Sequence, residues 1–148
     1  MLLIIVNMKK YILAGLVVAV MLTLTLSVSA VDFDDSVIKG LNVTEDIDGA
    51  LSEAQSQNKT VALIFDQDSC VYCDMLKKDV LSNQEIQKIF NENYVVVLVD
   101  INKHPDVAAK YEVFGTPMVQ FLSPDGKSLD KIEGYVSSDE FLTTLKGI

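Results

Sequence analysis

Two short stretches, TVALIFD at 60–66 and YVVVLVD at 94–100, constrain the fold of this chain more than any other feature. Each is an unbroken run of apolar, mostly β-favouring residues that stops at an aspartate. Neither alternates polar with apolar, as a strand with one wet face would. Unbroken runs of this length read as strands covered on both faces, and such strands pair in parallel beneath helices. A third run, MVQFL at 118–122, leads into the turn residues Ser123-Pro124-Asp125-Gly126. A fourth strand, about Leu129 to Glu133, then returns antiparallel as an edge hairpin.

Helical signals fill the intervals. Ile47, Ala50, Leu51 and Ala54 recur at helical spacing after Glu45 and Asp46, acids that suit a helix start, and this helix fades near Gln57-Asn58. A helical stretch runs from the cysteine pair to about Leu81. Ser82 to Glu85 reads as a capping box for a helix carrying Ile86, Ile89 and Phe90. Pro105 fits the first position of a helix through Val107 and Ala108 to about Tyr111. Ser137 to Glu140 is a second capping box, with Phe141, Leu142 and Leu145 as the apolar face of the last helix. Tyr111, Phe114 and Met118 read as core. The pattern predicts an α/β protein with a central mixed sheet of about four strands and helices on both faces.

A length of 148 residues suits one domain plus an appendage. Lys9 and Lys10 precede an apolar run from Tyr11 to Leu26, and Val28 and Ala30 stand where a signal peptidase wants small residues. Residues 1–30 therefore read as a signal peptide. The alternative is an uncleaved anchor over 11–30, about the length that spans a bilayer. Either reading leaves the rest of the chain outside the cytoplasm, secreted or periplasmic. Residues 31–43 read as an irregular lead-in and 44–148 as the domain. Loss of residues 1–30 removes two lysines and no acid, leaving ten bases against 21 acids, a net charge of −11. Nucleic acid would repel such a surface. A soluble monomer is expected.

The chain has two cysteines, Cys70 and Cys73, in the stretch DQDSCVYCDML at 66–76. Structural zinc wants four ligands, and only His104 could add to the pair, so no metal is expected. His104 reads as a surface residue. As a staple, so short a ring gives only about 2 kcal/mol, less than distant cysteines would. A redox role explains the placement. Cys70 follows a buried strand at the point where a helix begins, and the unpaired N–H groups there stabilise a thiolate. Cys70 is the candidate attacking sulfur. Cys73, one turn along and beneath it, is the candidate resolving sulfur. Within this alternation of strands and helices the CxxC reads as a thioredoxin-type motif.

Four segments extend that motif: VALIFDQDSCVYC, LSNQEIQKIFNENYVVVLVDI, YEVFGTPMVQFLSPDGK and EGYVSSDEFLTTL. Together they resemble the thioredoxin-like superfamily of exported thiol–disulfide oxidoreductases, and in particular the C-terminal thioredoxin-like domain of DsbD-type reductases. The resemblance implies a thioredoxin fold and a cis bond between Thr116 and Pro117 lying against the cysteines, with Thr116 open to an extended substrate segment. It implies no cofactor beyond the Cys70–Cys73 disulfide. The partners implied are thiols and disulfides of exported proteins and a membrane redox partner that supplies electrons.

The chain departs from this pattern where many thioredoxins carry a buried carboxylate, six residues before the first cysteine. Here that residue is Ile64. Asp66 and Asp68 are the nearest substitutes. Asp68 is the preferred proton acceptor for Cys73; the alternative is that both acids are solvated loop residues. Their charge opposes the Cys70 thiolate, which favours a reductase or isomerase over a strong oxidase. Val71 and Tyr72, between the cysteines, are candidate substrate contacts, with Tyr72 equally readable as cover over the pair. A rival function is a chaperone or protein-binding module of the same fold whose CxxC is not essential.

Overall fold

The computed structural model describes residues 38–148. The signal or anchor reading of residues 1–30 lies outside the described residues. Among those described, no helix is long and apolar enough to cross a membrane.

The elements follow in chain order. They are β1 (Val43–Thr44), α1 (Ile47–Gln57), β2 (Thr60–Asp66) and α2 (Val71–Met75), which continues as a π-helical turn over Leu76–Val80. Then come α3 (Gln84–Asn93), β3 (Tyr94–Asp100), α4 (Pro105–Lys110), β4 (Met118–Leu122), β5 (Ser128–Glu133) and α5 (Ser138–Leu145). The sheet order is β1-β3-β2-β4-β5. β2 and β3, the two apolar runs, pair in parallel residue for residue from Thr60↔Tyr94 to Asp66↔Asp100. β4 lies antiparallel to β2, and β5 returns antiparallel to β4 with a register shift at Phe121/Leu122.

The sheet has five strands rather than about four. The extra one, β1, is two residues long and pairs with β3 through Val43↔Val96 and Thr44↔Val97. Ahead of it, Ile38 and Leu41 are buried in the core, so the described part of the lead-in packs on the domain.

Side-chain alternation along β2 divides the core. Ala62 and Ile64 face a layer built from Leu76, Val80, Ile86, Phe90 and Phe141, so the π-helical continuation of α2, α3 and α5 cover that side. Val61, Leu63 and Phe65 face Ala50 and Ala54 of α1, with Val107 and Tyr111 packed around them. On the first side four aromatic rings close a circuit. Phe90 meets Tyr94 at 5.1 Å between centroids and Phe141 at 5.8 Å, and Phe121 meets Tyr94 at 5.8 Å and Phe141 at 6.4 Å. Their tilted and edge-on packing is the arrangement that aromatic quadrupoles favour.

The caps show why the helices begin where they do. Asp46 accepts a hydrogen bond from the Gly49 N–H at 2.9 Å. The absence of a Cβ at Gly49 gives the carboxylate room, since that atom would stand within 2.3 Å of Asp46 Oδ2. Asp46→Ala is expected to cost about 1 kcal/mol, read as a shift of the urea midpoint without a change in slope. α1 ends at Asn58, in the left-handed region at φ 52°. Ser137 caps α5 through the Glu140 N–H, as the sequence suggests. The cap of α3 is Asn83, not Ser82: Asn83 Oδ1 accepts from the N–H groups of Glu85 and Ile86. Ser82 instead turns back and donates to the Lys78 carbonyl, closing the preceding helix.

Candidate active site

The site forms at the carboxyl end of β2. Strand pairing stops at Asp66, a short turn covers Gln67 to Ser69, and Ser69 takes a left-handed conformation at φ 60°. That turn delivers Cys70 to the N-cap position of α2. Cys70 and Cys73 are joined as a disulfide, with Cα atoms 5.2 Å apart. The two residues are unequally buried: Cys70 is half-buried, whereas Cys73 is 2% exposed. Cys70 Sγ accepts a hydrogen bond from the Cys73 N–H at 3.1 Å. A sulfur in this position meets the unpaired donors and positive end of a helix, the setting that favours a thiolate over a thiol.

A second segment reaches the pair from β4. The Phe65↔Met118 register brings the residues just before β4 alongside the end of β2. The bond between Thr116 and Pro117 is cis, and Thr116 Oγ1 lies 3.5 Å from Cys70 Sγ. The Pro117 carbonyl accepts from the Gly134 N–H at 2.8 Å, which ties this loop to the end of β5. Cys70, Cys73, Thr116 and Pro117 thus converge on one end of the sheet, although Thr116 is 46 residues from Cys70.

The carboxylate at the sulfurs is Asp66. One of its oxygens and both sulfurs lie within 4.8 Å of one another. Asp68, the preferred candidate from sequence, is exposed in the turn and stands outside that group. The reason is strand parity. Asp66 is two residues beyond Ile64, so the pleat points it to the side covered by α2. Asp68 falls after pairing has ended. Asp66 is also not free. Lys77, one helical turn beyond Cys73, forms an ion pair with Asp66 Oδ2, and both side chains are largely buried. Asp66 Oδ1 accepts from the Gln67 N–H at 2.8 Å. Asp66 is therefore a compensated acid, and Lys77 offsets much of its opposition to a Cys70 thiolate. Asp100, in register with Asp66, pairs with Lys103 at 3.6 Å. These groups, with Asp68 and Asp74, line a cleft of about 260 Å³ beside the disulfide. Three donors, two sulfurs and one carboxylate, fall one short of a closed zinc site. His104 is exposed at the start of α4 and outside this group.

Exposed apolar side chains stand between the two cysteines and just before Thr116. Val71 is 68% exposed and Tyr72 is 61% exposed. Phe114, two residues before Thr116, is 93% exposed, which corrects its reading as core. Tyr111 and Met118 do pack inward, Tyr111 against Phe65 at 6.0 Å. Phe114 lies in the loop that follows Glu112, where φ is 54°, and its neighbour Val113 takes the core-facing place. Neither Lys77 nor Phe114 is legible as a site residue from composition. Lys77 has one usable signal, its spacing of four from Cys73 on a helix.

Residues 47–148 match the family model described as a thioredoxin-like domain. The chain belongs to the thioredoxin-like family. The DsbD thiol:disulfide interchange protein of Campylobacter jejuni is 30% identical over 99 residues, which is 64% of this chain and 17% of that protein. Mouse spermatogenesis-associated protein 20 is 32% identical over 83 residues, 51% of this chain and 10% of that protein. The chain therefore spans only a small part of the length of these relatives. Among solved structures, a thioredoxin from Thermus thermophilus superposes with a TM-score of 0.66 at 26% identity, covering 73% of this chain and 86% of that one. The C-terminal domain of Neisseria meningitidis DsbD, in its oxidised form, gives 0.61 at 24% identity over 72% of this chain and 98% of the domain. The expected thioredoxin fold is the observed one.

Proposed function

We propose that this chain is an extracytoplasmic thiol–disulfide oxidoreductase that reduces or isomerises disulfides in exported proteins. The observation that carries the reading is the asymmetry of the cysteine pair. Cys70 is half-buried at a helix N-terminus beside Thr116, and Cys73, one turn along, is almost fully buried. In the reduced protein, the Cys70 thiolate attacks a substrate disulfide and forms a mixed disulfide, releasing one substrate thiol. Cys73 then attacks Cys70 Sγ, which restores the Cys70–Cys73 bond and releases the second thiol. Two electrons pass from the protein to the substrate, and the redox group is the cysteine pair itself.

Restoring the dithiol requires a donor, and a membrane redox partner fits that role. The similarity to proteins named thiol:disulfide interchange protein DsbD supports thiol–disulfide exchange. The pair of residues between the cysteines supports this direction of flow, since Val71 and Tyr72 bring neither a positive charge nor an imidazole N–H to steady the thiolate. Val71, Tyr72 and Thr116 form the proposed substrate surface, with Pro117 behind them and Phe114 added from its exposure.

Reduction of insulin with dithiothreitol as electron source tests the reading. Wild type is expected to accelerate precipitation of the insulin B chain, and Cys73→Ser is expected to accumulate partners as mixed disulfides on Cys70. A wild type no faster than dithiothreitol, with nothing captured by Cys73→Ser, would instead favour a binding module. Phe114→Ser separates docking from folding. Its stability should stay within about 0.5 kcal/mol of wild type, as for an exposed site, while KM for a protein disulfide rises severalfold.

A further inference from the structure

Three donor atoms meet at the carboxyl end of β2: the sulfurs of Cys70 and Cys73 and one carboxylate oxygen of Asp66, all within 4.8 Å of one another. Thiol–disulfide exchange uses the sulfurs one at a time. Taken together they offer a second chemistry. In the oxidised chain the sulfurs are bonded to each other and have little to give a cation. Reduction turns them into two thiols one helical turn apart, with a carboxylate at their side. Ligands of tetrahedral zinc stand about 3.5–3.8 Å apart, given bonds of about 2.3 Å to sulfur and 2.0–2.2 Å to oxygen. Side-chain rotations bring atoms confined to a 4.8 Å group to that spacing. Such a site is open rather than closed: three protein donors leave the fourth position to water.

We propose that the reduced chain binds one thiophilic divalent cation, zinc by type, through Cys70, Cys73 and Asp66, and that the ion holds the chain out of thiol–disulfide exchange. Charge and access both favour it. Two thiolates and a carboxylate carry three negative charges, which a divalent ion and the ammonium of Lys77 on Asp66 Oδ2 neutralise among largely buried groups. The Asp66 oxygens keep lone pairs beyond those that meet Lys77 and the Gln67 N–H. Asp66 also lines the cleft of about 260 Å³, whose wall carries Glu45, Asp68, Asp74 and Asp100. Walls of that sign raise the local concentration of cations, and the cleft has room for the water in the fourth position. A mixed set of sulfur and oxygen suits zinc better than copper(I), which prefers sulfur alone. On binding, both thiols give their protons to solvent, two metal–sulfur bonds form and no electrons move. The bound Cys70 sulfur cannot attack a disulfide until the ion leaves. The site rests on its donors; its effect on exchange rests on the oxidoreductase reading above.

Anaerobic titration of the reduced, desalted chain with cobalt(II), a coloured stand-in for zinc, tests the assignment. Ligand-field bands and sulfur-to-cobalt charge transfer are expected to saturate at one ion per chain and to vanish when zinc is added. The oxidised chain should show neither. Asp66→Asn should weaken binding at least about tenfold, and Asp68→Asn should leave it near wild type. Lys77→Met, which makes the site more negative, should tighten binding severalfold. Loss in one member of an ion pair and gain in the other is a pattern that misfolding would not produce. In a single turnover without dithiothreitol, the zinc-loaded chain should fail to reduce insulin and should recover once EDTA is added. Equal affinity of Asp66→Asn and wild type would overturn the assignment. So would saturation at half an ion per chain, where two copies close a four-sulfur site, or full activity of the zinc-loaded chain. A metal-free chain that reduces insulin but gives no bands would sink the metal site alone. Bands from a chain that cannot reduce insulin would sink the oxidoreductase reading and leave the site standing.

Discussion

Replacing Cys70 by serine is expected to abolish the proposed disulfide reduction, leaving the rate at that of dithiothreitol alone, a loss of at least about a thousandfold. The expectation follows from the unequal burial of the two sulfurs. A serine hydroxyl at the helix N-terminus is not appreciably ionised near neutral pH, whereas a thiol there is a short step from its nucleophilic form. Cys73 cannot take over. It is 2% exposed, and no protein disulfide can reach it without opening the helix. Cys73→Ser should differ in kind: one attack, no turnover, and a captured partner. Insulin turbidity gives the rate for both variants, and non-reducing electrophoresis distinguishes them. Comparable turnover by Cys70→Ser and wild type would remove the basis for the mechanism.

The second large effect is on stability. Phe141→Ala is expected to cost about 3–5 kcal/mol, a large part of the roughly 5–15 kcal/mol that holds a domain of this size together. Phe141 is fully buried and meets Phe90 and Phe121 edge-on. Its helix, α5, has eight residues, too few to stand alone in water. Docking through Phe141, Leu142 and Leu145 is therefore what makes it a helix. Ser138 Oγ donates to the Asp79 carbonyl at 2.9 Å, so α5 also braces the π-helical turn that carries Lys77. The urea midpoint should fall by roughly 2 M. A fall of less than about 0.5 M would mean that the closing helix contributes little to the fold.

The sequence reveals the parts of this molecule that rest on local chemistry. β2 and β3 are legible because runs of five and six consecutive apolar positions leave no other reading, and their parallel pairing follows from burial on both faces. The start of α5 is legible from Ser137 and Glu140. β1 is not, because two residues carry no periodicity and its partner is half a domain away. The α3 cap is misread by one residue because Ser82 and Asn83 are both good caps, and the choice falls to which side chain can turn back onto the preceding helix.

At the site, the cysteines and the Thr116-Pro117 contact stand out through motif and resemblance. The placement of Asp66 was available in principle, since it shares the parity of Ile64, but only if the strand is known to end at 66 rather than 68. Lys77 and Phe114 depend on tertiary geometry: one needs the distance from α2 to β2, the other the direction in which a loop leaves the sheet.

The two margins of the sheet have a further consequence. One is the two-residue β1. The other, β5, exposes Asp130, Lys131 and Glu133 along its length and is out of step with its neighbour at the Phe121/Leu122 irregularity. Short, charged and kinked borders are poor templates for a stray strand from another molecule. Under the proposed function, such borders would let the chain meet the sticky segments of unfolded proteins without being drawn into fibrils with them.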